Sequence, residues 1–219
     1  MSSPAEICRR AAGLFIVLEG IDGAGTTTQA QVLAATFERH GHAARFTHEP
    51  SALPVGRLLR QLLGAGSSAS RPDWDGMALL FAADRLEHVA REISPLLESK
   101  ITVVCDRYDL STLAYQSATA GDEQAALPWL RAINQRARRP DVTLVLDVDA
   151  GVAEARRALR GGEPELFERR ELQRRLADIY AEAEQLVPGD LVLHIDANGT
   201  LAEVEAGVIA ALGRALPQL

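Results

Sequence analysis

The sequence contains very little lysine and cysteine. Of the 23 basic residues, 22 are arginine and only Lys100 is lysine. A cationic site that needs more than this one lysine therefore has to be built from arginine, a metal ion or a partner's residue. The two cysteines, Cys8 and Cys105, are too few and too far apart to indicate a disulfide framework or a metal-binding knuckle.

The sequence also lacks a basic excess and a long apolar run. Its formal net charge of −7 argues against a protein that coats nucleic acid, because such proteins normally carry surplus positive charge. No apolar stretch approaches the roughly 18 residues that span a membrane. Residues 1–10 are not followed by a signal-type apolar core. We therefore expect a cytoplasmic protein without nucleic-acid or membrane partners.

A glycine-rich segment at residues 14–29 is the main positive feature. The apolar run over residues 14–18 predicts a buried strand, and a helical pattern begins at about Thr26. A strand, a glycine-rich loop and a helix in this order predict a phosphate-binding loop, because glycines let backbone amides point inward at the positive end of the helix dipole. A plain tight turn is the alternative. The predicted nucleotide-binding residues are Gly20, Gly23, Ala24, Gly25, Thr26, Thr27 and Thr28.

The loop departs from the pattern G-x-x-x-x-G-K-[ST] at one position. Gly20 and Gly25 occupy the glycine positions, and Thr27 occupies the hydroxyl position that would contact Mg²⁺. Thr26 stands where the pattern has lysine. Lys100 cannot easily replace that lysine, because it precedes a predicted strand, whereas phosphate sites in parallel sheets lie at the C-terminal ends of strands.

Apolar runs alternate with helical patterns along the chain. The predicted strands are residues 14–18, 43–48, 101–105, 142–147 and 191–195. Long helical patterns cover residues 77–97 and about 167–186. Such alternation predicts a parallel sheet that is covered by helices on both faces. We predict an α/β fold of the three-layer P-loop NTPase type, with a five-stranded parallel sheet, in one domain over residues 1–219.

Charged residues occur in the glycine loop and after the third predicted strand. Asp106 ends that strand at the edge where the glycine loop also ends, so its carboxylate can hold Mg²⁺ or its water, with a helix cap as the alternative. Arg107 is always charged and suits bidentate binding of phosphate, unless it forms a surface salt bridge. Asp22 would repel a triphosphate, so we expect it to face away and to bind a second substrate's hydroxyl or Mg²⁺.

Five arginines flank a glycine-containing break in the second half of the chain. They are Arg156, Arg157, Arg160, Arg169 and Arg170. Arginines on such a segment can close over a transferring phosphoryl group and offset its charge, and Arg160 is the strongest candidate. Several glutamates lie nearby, so a solvated salt-bridge face is the alternative. We predict a lid over about residues 156–170.

Phe81 and Arg85 lie one helical turn apart on the same face of a predicted helix. An aromatic ring with a fixed donor four residues later can stack against a nucleobase and bind its carbonyl edge. Alone, such a pair is more often a core phenylalanine beside a surface arginine. The pair is therefore a candidate base-binding site and not a motif in its own right.

These features, in this order and spacing, resemble the thymidylate (dTMP) kinases, a family of nucleoside monophosphate kinases. The resemblance covers about residues 14–212 and rests on residues 15–25, 49–50, 80–85, 106–116 and 139–148, followed by the arginine-rich break. The family catalyses ATP + dTMP → ADP + dTDP with Mg²⁺, usually as a homodimer. The resemblance thus implies a kinase of nucleotide biosynthesis that binds dTMP and ATP.

The resemblance also implies roles for individual residues. Phe81 would stack against thymine and Arg85 would bond its edge. Arg107 would hold the dTMP phosphate, Asp22 the sugar hydroxyl or the metal, and Tyr115 would lie near the 2′ carbon of the sugar. The implied substrate-binding set is Asp22, Glu49, Pro50, Phe81, Arg85, Arg107, Tyr115 and Gln116. The implied catalytic set is Asp22, Arg107 and Arg160, and the implied metal ligands are Thr27 and Asp106.

Three departures from the family pattern lower the positive charge of the predicted site. Thr26 replaces the loop lysine, His48 stands where the family has arginine, and residues 165–166 are Glu-Leu where many members have Asp-Arg. Three hypotheses follow: an active dTMP kinase, a kinase-like module that binds nucleotides but transfers phosphate poorly, and a kinase for another pyrimidine monophosphate such as dUMP. Intact Asp22, Asp106 and Arg107 favour the first, whereas Thr26 favours the second.

Overall fold

The computed structural model describes residues 3–64, 72–160 and 170–216, with the side chain of Arg160 left out. The strands are β1 (Phe15–Glu19), β2 (Ala44–His48), β3 (Thr102–Asp106), β4 (Val142–Asp147) and β5 (Val192–Asp196). The helices are α1 (Pro4–Arg10), α2 (Thr26–Arg39), α3 (Pro54–Leu63), α4 (Trp74–His88), α5 (Ser94–Glu98), α6 (Asp109–Thr119), α7 (Glu123–Asn134), α8 (Ala150–Arg160), α9 (Arg170–Tyr180), α10 (Ala183–Leu186) and α11 (Leu201–Ala215). Within these ranges, no helix is long and apolar enough to cross a bilayer.

The five strands form a parallel sheet in the order β2-β3-β1-β4-β5. β1 lies in the middle, between β3 and β4. In this register Leu18 of β1 lies opposite Asp106 of β3, so the C-terminal ends of the two strands share one edge of the sheet. The predicted five-stranded parallel α/β sheet is confirmed.

Side chains of β1 alternate between two hydrophobic cores. Ile16 and Leu18 belong to a large core that also contains residues of α2, α6 and α11. Phe15 and Val17 belong to a smaller core on the other face, with Ile93 and Leu97. Because helices cover both faces of the sheet at β1, this strand is buried along its whole length and apolar over four of its five residues. The predicted three-layer arrangement is confirmed. Charged side chains of β1 and β3 lie at the C-terminal ends of these strands, at Glu19 and Asp106.

The helix predicted over residues 77–97 is confirmed with shifted ends, because helical backbone, α-helical except for one π-helical turn, runs from Trp74 to Glu98. α4 begins earlier, at Trp74, and a π-helical turn over Val89–Ile93 separates it from the short α5. Pro95 explains the interruption. It has no N–H to donate to the carbonyl of Arg91, and its ring would clash with that carbonyl in a regular α-helix.

Several other predicted elements are wrong at their ends. β1, β3 and β5 each lie one residue later than predicted and end at Glu19, Asp106 and Asp196, because backbone pairing continues through these positions. The helix predicted to run from about residue 167 to 186 is divided into α9 and α10 within the described range. The first helix, α1, was not predicted at all, although Ser3 caps it by accepting a hydrogen bond from the N–H of Glu6 (3.3 Å).

Candidate active site

The glycine-rich loop connects the central strand β1 to α2. Gly23 and Gly25 both have φ of 93°, a left-handed conformation that glycine adopts without steric cost. α2 begins at Thr26, directly after Gly25, so the unpaired amides of its first turn lie at the loop. The side chain of Thr26 is buried, whereas Thr27 and Thr28 are exposed. The loop thus has the buried strand, the left-handed glycines and the helix N-terminus of a phosphate-binding loop.

Thr27 and Asp106 meet at the shared edge of β1 and β3. The Thr27 hydroxyl donates a hydrogen bond to Oδ2 of Asp106, and Oδ1 of Asp106 is buried without a partner among the described residues. A hydroxyl and a carboxylate oxygen are hard donors that fit Mg²⁺. Among the described residues, no group of three or more His, Cys, Asp or Glu side chains could hold a metal ion by itself, so phosphate and water oxygens would complete the coordination.

Arg107 links the glycine loop to α6. Its φ of 65° is uncommon for a residue other than glycine. Its Nη1 donates to the carbonyl of Gly20 (3.0 Å) and to Oγ of Ser111 (3.1 Å), and its Nη2 donates to Oδ1 of Asp22 (2.6 Å). The other carboxylate oxygen of Asp22 accepts a hydrogen bond from Nε2 of Gln173 (3.0 Å). Two side chains from different elements therefore hold the Asp22 carboxylate beside the loop.

Glu19, the last residue of β1, fixes the segment that carries Arg107. It is fully buried and accepts hydrogen bonds from the N–H groups of Tyr108 (2.8 Å) and Ser111 (3.1 Å). The hydroxyls of Ser111 (2.6 Å) and Tyr180 (3.0 Å) also donate to it. Burial raises the pKa of Glu19, although the charge of Arg107 and the hydrogen bonds oppose this shift. Glu19 thereby ties β1, α6 and α9 together behind the loop.

The opposite end of the site is built on α4. Phe81 is half-buried and lies one turn before Arg85, which is 1% exposed. Nη2 of Arg85 lies 2.7 Å from Oε2 of Glu49, and its Nη1 donates to Oδ1 of Asn134 (2.5 Å). Burial alone would lower the pKa of Arg85, but Glu49, Asp109 and Tyr108 together offset this effect, so its pKa is raised. Nε of Arg85 is buried without a partner in the described part of the chain.

These two ends line one cleft of about 470 Å³. The predicted residues that line it are Asp22, Thr27, Glu49, Pro50, Phe81, Arg85, Asp106, Arg107, Tyr115 and Gln116. The Arg107 guanidinium lies 5.2 Å from the ring centroid of Tyr115. Nε2 of Gln116 is buried and has no hydrogen-bond partner within the described ranges. The cleft therefore joins the glycine-loop end, with Thr27, Asp106 and Arg107, to an end that has the ring of Phe81 and unpaired donor atoms of Arg85 and Gln116.

α8 places two of the predicted lid arginines on the glycine loop. Nη1 of Arg157 donates to the carbonyl of Asp22. Nη1 of Arg156 donates to the carbonyl of Ala24 (3.4 Å), and its Nη2 donates to the carbonyl of Gly199 (2.9 Å). Both guanidinium groups thus contact backbone oxygens around the loop.

The remaining arginines of the predicted lid differ from these two. Arg170 forms an ion pair with Glu154 (2.9 Å), so it adopts the salt-bridge arrangement that was the alternative to a lid function. The side chain of Arg160 and the whole of Arg169 lie outside the described residues. Of the segment predicted as a lid, residues 156–170, the structure describes residues 156–160 and Arg170, and Arg156 and Arg157 lie against the glycine loop.

Comparison with known proteins gives a consistent match over most of the chain. A family model described as thymidylate kinase matches residues 18–208. The chain belongs to the thymidylate kinase family. A probable thymidylate kinase of Pyrococcus abyssi is 40% identical over 200 residues, which cover 90% of this chain and 95% of that protein. A thymidylate kinase of Cereibacter sphaeroides is 40% identical over 217 residues, covering 95% and 98%. One of Magnetococcus marinus is 36% identical over 203 residues, covering 90% and 93%.

The site of this thymidylate kinase family member includes residues that the sequence did not reveal. Glu19 gave a weak signal, because it places a charge directly after an apolar run. Gln173 gave no signal in the sequence, because it lies 151 positions from Asp22. Its Oε1 accepts a hydrogen bond from the N–H of Asp22, and its Nε2 donates one to the Asp22 carboxylate. Arg60 of α3 donates to the carbonyls of Pro50 and Ser51 and also lines the cleft.

Proposed function

We propose that this chain is a dTMP kinase, which transfers the γ-phosphoryl group of ATP to dTMP and releases ADP and dTDP. The observation that carries the proposal is the cleft between the phosphate loop and the Phe81–Arg85 end, on a chain of the thymidylate kinase family. In the in-line reaction, an oxygen of the dTMP phosphate attacks the γ-phosphorus and ADP leaves. The protein contributes positioning and charge stabilisation more than covalent chemistry.

In this proposal, dTMP lies with its base at α4 and its phosphate at Arg107. The ring of Phe81 stacks against thymine, and the unpaired Nε of Arg85 and Nε2 of Gln116 supply donors to its polar edge. Tyr115 lies beside Arg107 and disfavours a ribose 2′-hydroxyl. Asp22 accepts the hydroxyl of the sugar. The buried ion pair with Glu49 keeps Arg85 charged and in place.

ATP binds with its phosphates on the glycine loop. The backbone amides of residues 20–28 and the N-terminus of α2 face the phosphates. Thr27 and Asp106 would hold Mg²⁺ through the hydroxyl and the unpaired carboxylate oxygen. The metal supplies positive charge to the phosphate oxygens during transfer. Arg160 of the predicted lid and Arg107 complete the proposed catalytic set.

We infer that Thr26 replaces the phosphate-loop lysine and that this slows the reaction without abolishing it. A charge-assisted contact to phosphate is worth about 1.5–3 kcal/mol, so its loss costs about 10- to 150-fold. At the second departure, Nη2 of Arg60 lies 3.2 Å from Nδ1 of His48. A positive charge therefore remains near the position where the family has arginine.

We also propose that the chain forms a cytoplasmic homodimer. Leu79 and Leu86 of α4 are 52% and 40% exposed and lie two turns apart on one face, so they offer an apolar stripe to a second copy. Analytical ultracentrifugation of the unmodified chain tests the dimer, and a monomer at micromolar concentration would contradict it.

The test of the function is Mg²⁺-dependent release of ADP from ATP, with dTMP, dUMP, dCMP, UMP and AMP offered separately. We expect turnover with dTMP well above the others. Asp106→Asn should remove the Mg²⁺-dependent rate, and Arg9→Ala, an exposed position on α1, should leave the rate unchanged. Preference for another acceptor, or tight dTMP binding without turnover, would contradict the proposal.

A further inference from the structure

Helix α8 packs directly on the glycine loop. A Cβ atom at Gly23 would lie 2.4 Å from the carbonyl oxygen of Ala153, so only glycine allows this approach. Ala153 is buried at this contact. Arg157 follows Ala153 by four residues and so lies on the same face of α8. The close packing at Gly23 therefore brings the side chain of Arg157 to the loop.

Among the described residues, the guanidinium of Arg157 has one hydrogen-bond partner, and this partner is a backbone carbonyl of the glycine loop. Its Nη1 donates to the carbonyl of Asp22. No carboxylate within the described ranges pairs with it, whereas Arg107 is paired with Asp22 and Arg85 with Glu49. A neutral carbonyl is a weaker acceptor than an ionised phosphate oxygen. The described residues thus leave the charge of Arg157 without a paired carboxylate beside the glycine loop.

Other cations are poorly placed to act in the position of the missing lysine. Thr26 itself is buried at the start of α2. Lys100 precedes β3 and lies at the N-terminal edge of the sheet, opposite the loop. Arg156 is held by the carbonyls of Ala24 and Gly199 at the outer side of the loop.

We propose that Arg157 supplies the charge that Thr26 lacks, by binding the β- and γ-phosphate oxygens of ATP. The inference rests on the proposed function and deepens it, since the family resemblance implies a lid role for Arg160 and none for Arg157. When ATP binds, the guanidinium exchanges the carbonyl of Asp22 for phosphate oxygens, which accept stronger, charge-assisted hydrogen bonds. Its charge then offsets the negative charge on the transferring group.

A double-variant cycle between positions 26 and 157 tests this inference. The readout is the affinity for a non-hydrolysable ATP analogue with Mg²⁺, measured by calorimetry without any acceptor. We expect Arg157→Ala to weaken binding by about 10- to 150-fold in the unmodified chain. In the Thr26→Lys background the same substitution should weaken it by less than about threefold, because the lysine takes over the contact. Equal losses in both backgrounds, or no loss in the unmodified chain, would overturn the inference.

Two further comparisons control the cycle. Arg156→Ala should weaken binding equally in both backgrounds, and Arg9→Ala should change nothing in either. If Thr26→Lys fails to fold, Arg157→Lys and Arg157→Gln decide the question: retention of affinity with lysine alone supports the inference, and equal affinities overturn it. If the binding cycle gives the expected result but the unmodified chain does not turn over dTMP, the proposed function is overturned and the inference about Arg157 is not.

Discussion

Glu49 and Arg85 form an ion pair whose side chains are only 3% and 1% exposed. We expect Glu49→Leu to lower the free energy of unfolding by about 3–5 kcal/mol, because it leaves a buried guanidinium without its counter-charge. At 2.7 Å and an effective dielectric constant of about 20, the lost attraction is about 6 kcal/mol, which is of the same order as this expected loss. For a chain of 219 residues, each kcal/mol shifts Tm by about 2–4 °C, so Tm should fall by roughly 6–20 °C.

A second substitution separates the effect of charge from that of function. In Glu49→Leu/Arg85→Met an apolar pair replaces the ions, so stability should return towards that of the unmodified chain while the KM for dTMP rises. Urea unfolding and dTMP kinetics measure the two effects. Glu6→Leu is the matched control, because Glu6 pairs with Arg9 in solvent and its loss should not move the urea midpoint. The reasoning is refuted if Glu49→Leu is as stable as Glu6→Leu, or if the double variant is no more stable than Glu49→Leu.

Three further predictions concern the loop and the sheet edge. Gly23→Ala should lower both Tm and ATP affinity, because the new Cβ atom would clash with the carbonyl of Ala153. Gly41→Ala is the control: Gly41 has a φ of 80° and no atom within 4 Å of the place where the new Cβ would lie, so this change should cost only about 1 kcal/mol of backbone strain. Gln173→Leu should lower kcat/KM for dTMP by about tenfold through the loss of its hydrogen bonds to Asp22, without a comparable fall in Tm. The pKa of His194 is raised above 6.5, chiefly by its hydrogen bond to Asp147, so its stabilising effect is complete below pH 6.5 and is lost as the pH rises through the raised value. Scanning calorimetry should therefore show the advantage of the unmodified chain over His194→Gln shrinking above pH 6.5, and an advantage that grows with pH would contradict the assignment.

The edge of the sheet that carries Thr27 and Asp106 could be predicted from the sequence because parallel strands expose their C-terminal ends together. Two apolar runs, one followed by the glycine loop and one by Asp106, were enough to place Thr27 and Asp106 near each other. The register, with Leu18 opposite Asp106, brings them into direct hydrogen-bond contact. The spacing of Phe81 and Arg85 likewise predicted one helical face, and both residues line the cleft.

The rest of the site depends on how elements distant in sequence pack against each other. The local sequence pattern of a helix or strand does not encode this packing. Gln173 reaches Asp22 only because α9 returns to the loop. Arg157 reaches the same loop because Gly23 lets α8 approach, a contact that no helical periodicity predicts. The π-helical turn before Pro95 was missed because apolar spacing continues across it.

The central claim is that this chain transfers phosphate to dTMP although Thr26 occupies the position of the lysine in its glycine-rich loop. The most direct measurement is the chromatographic yield of dTDP and ADP from ATP, dTMP and Mg²⁺ with the unmodified chain. The account predicts dTDP and ADP in equal amounts, with formation of both strongly reduced in Arg107→Ala. ADP without dTDP, or neither product, would contradict it.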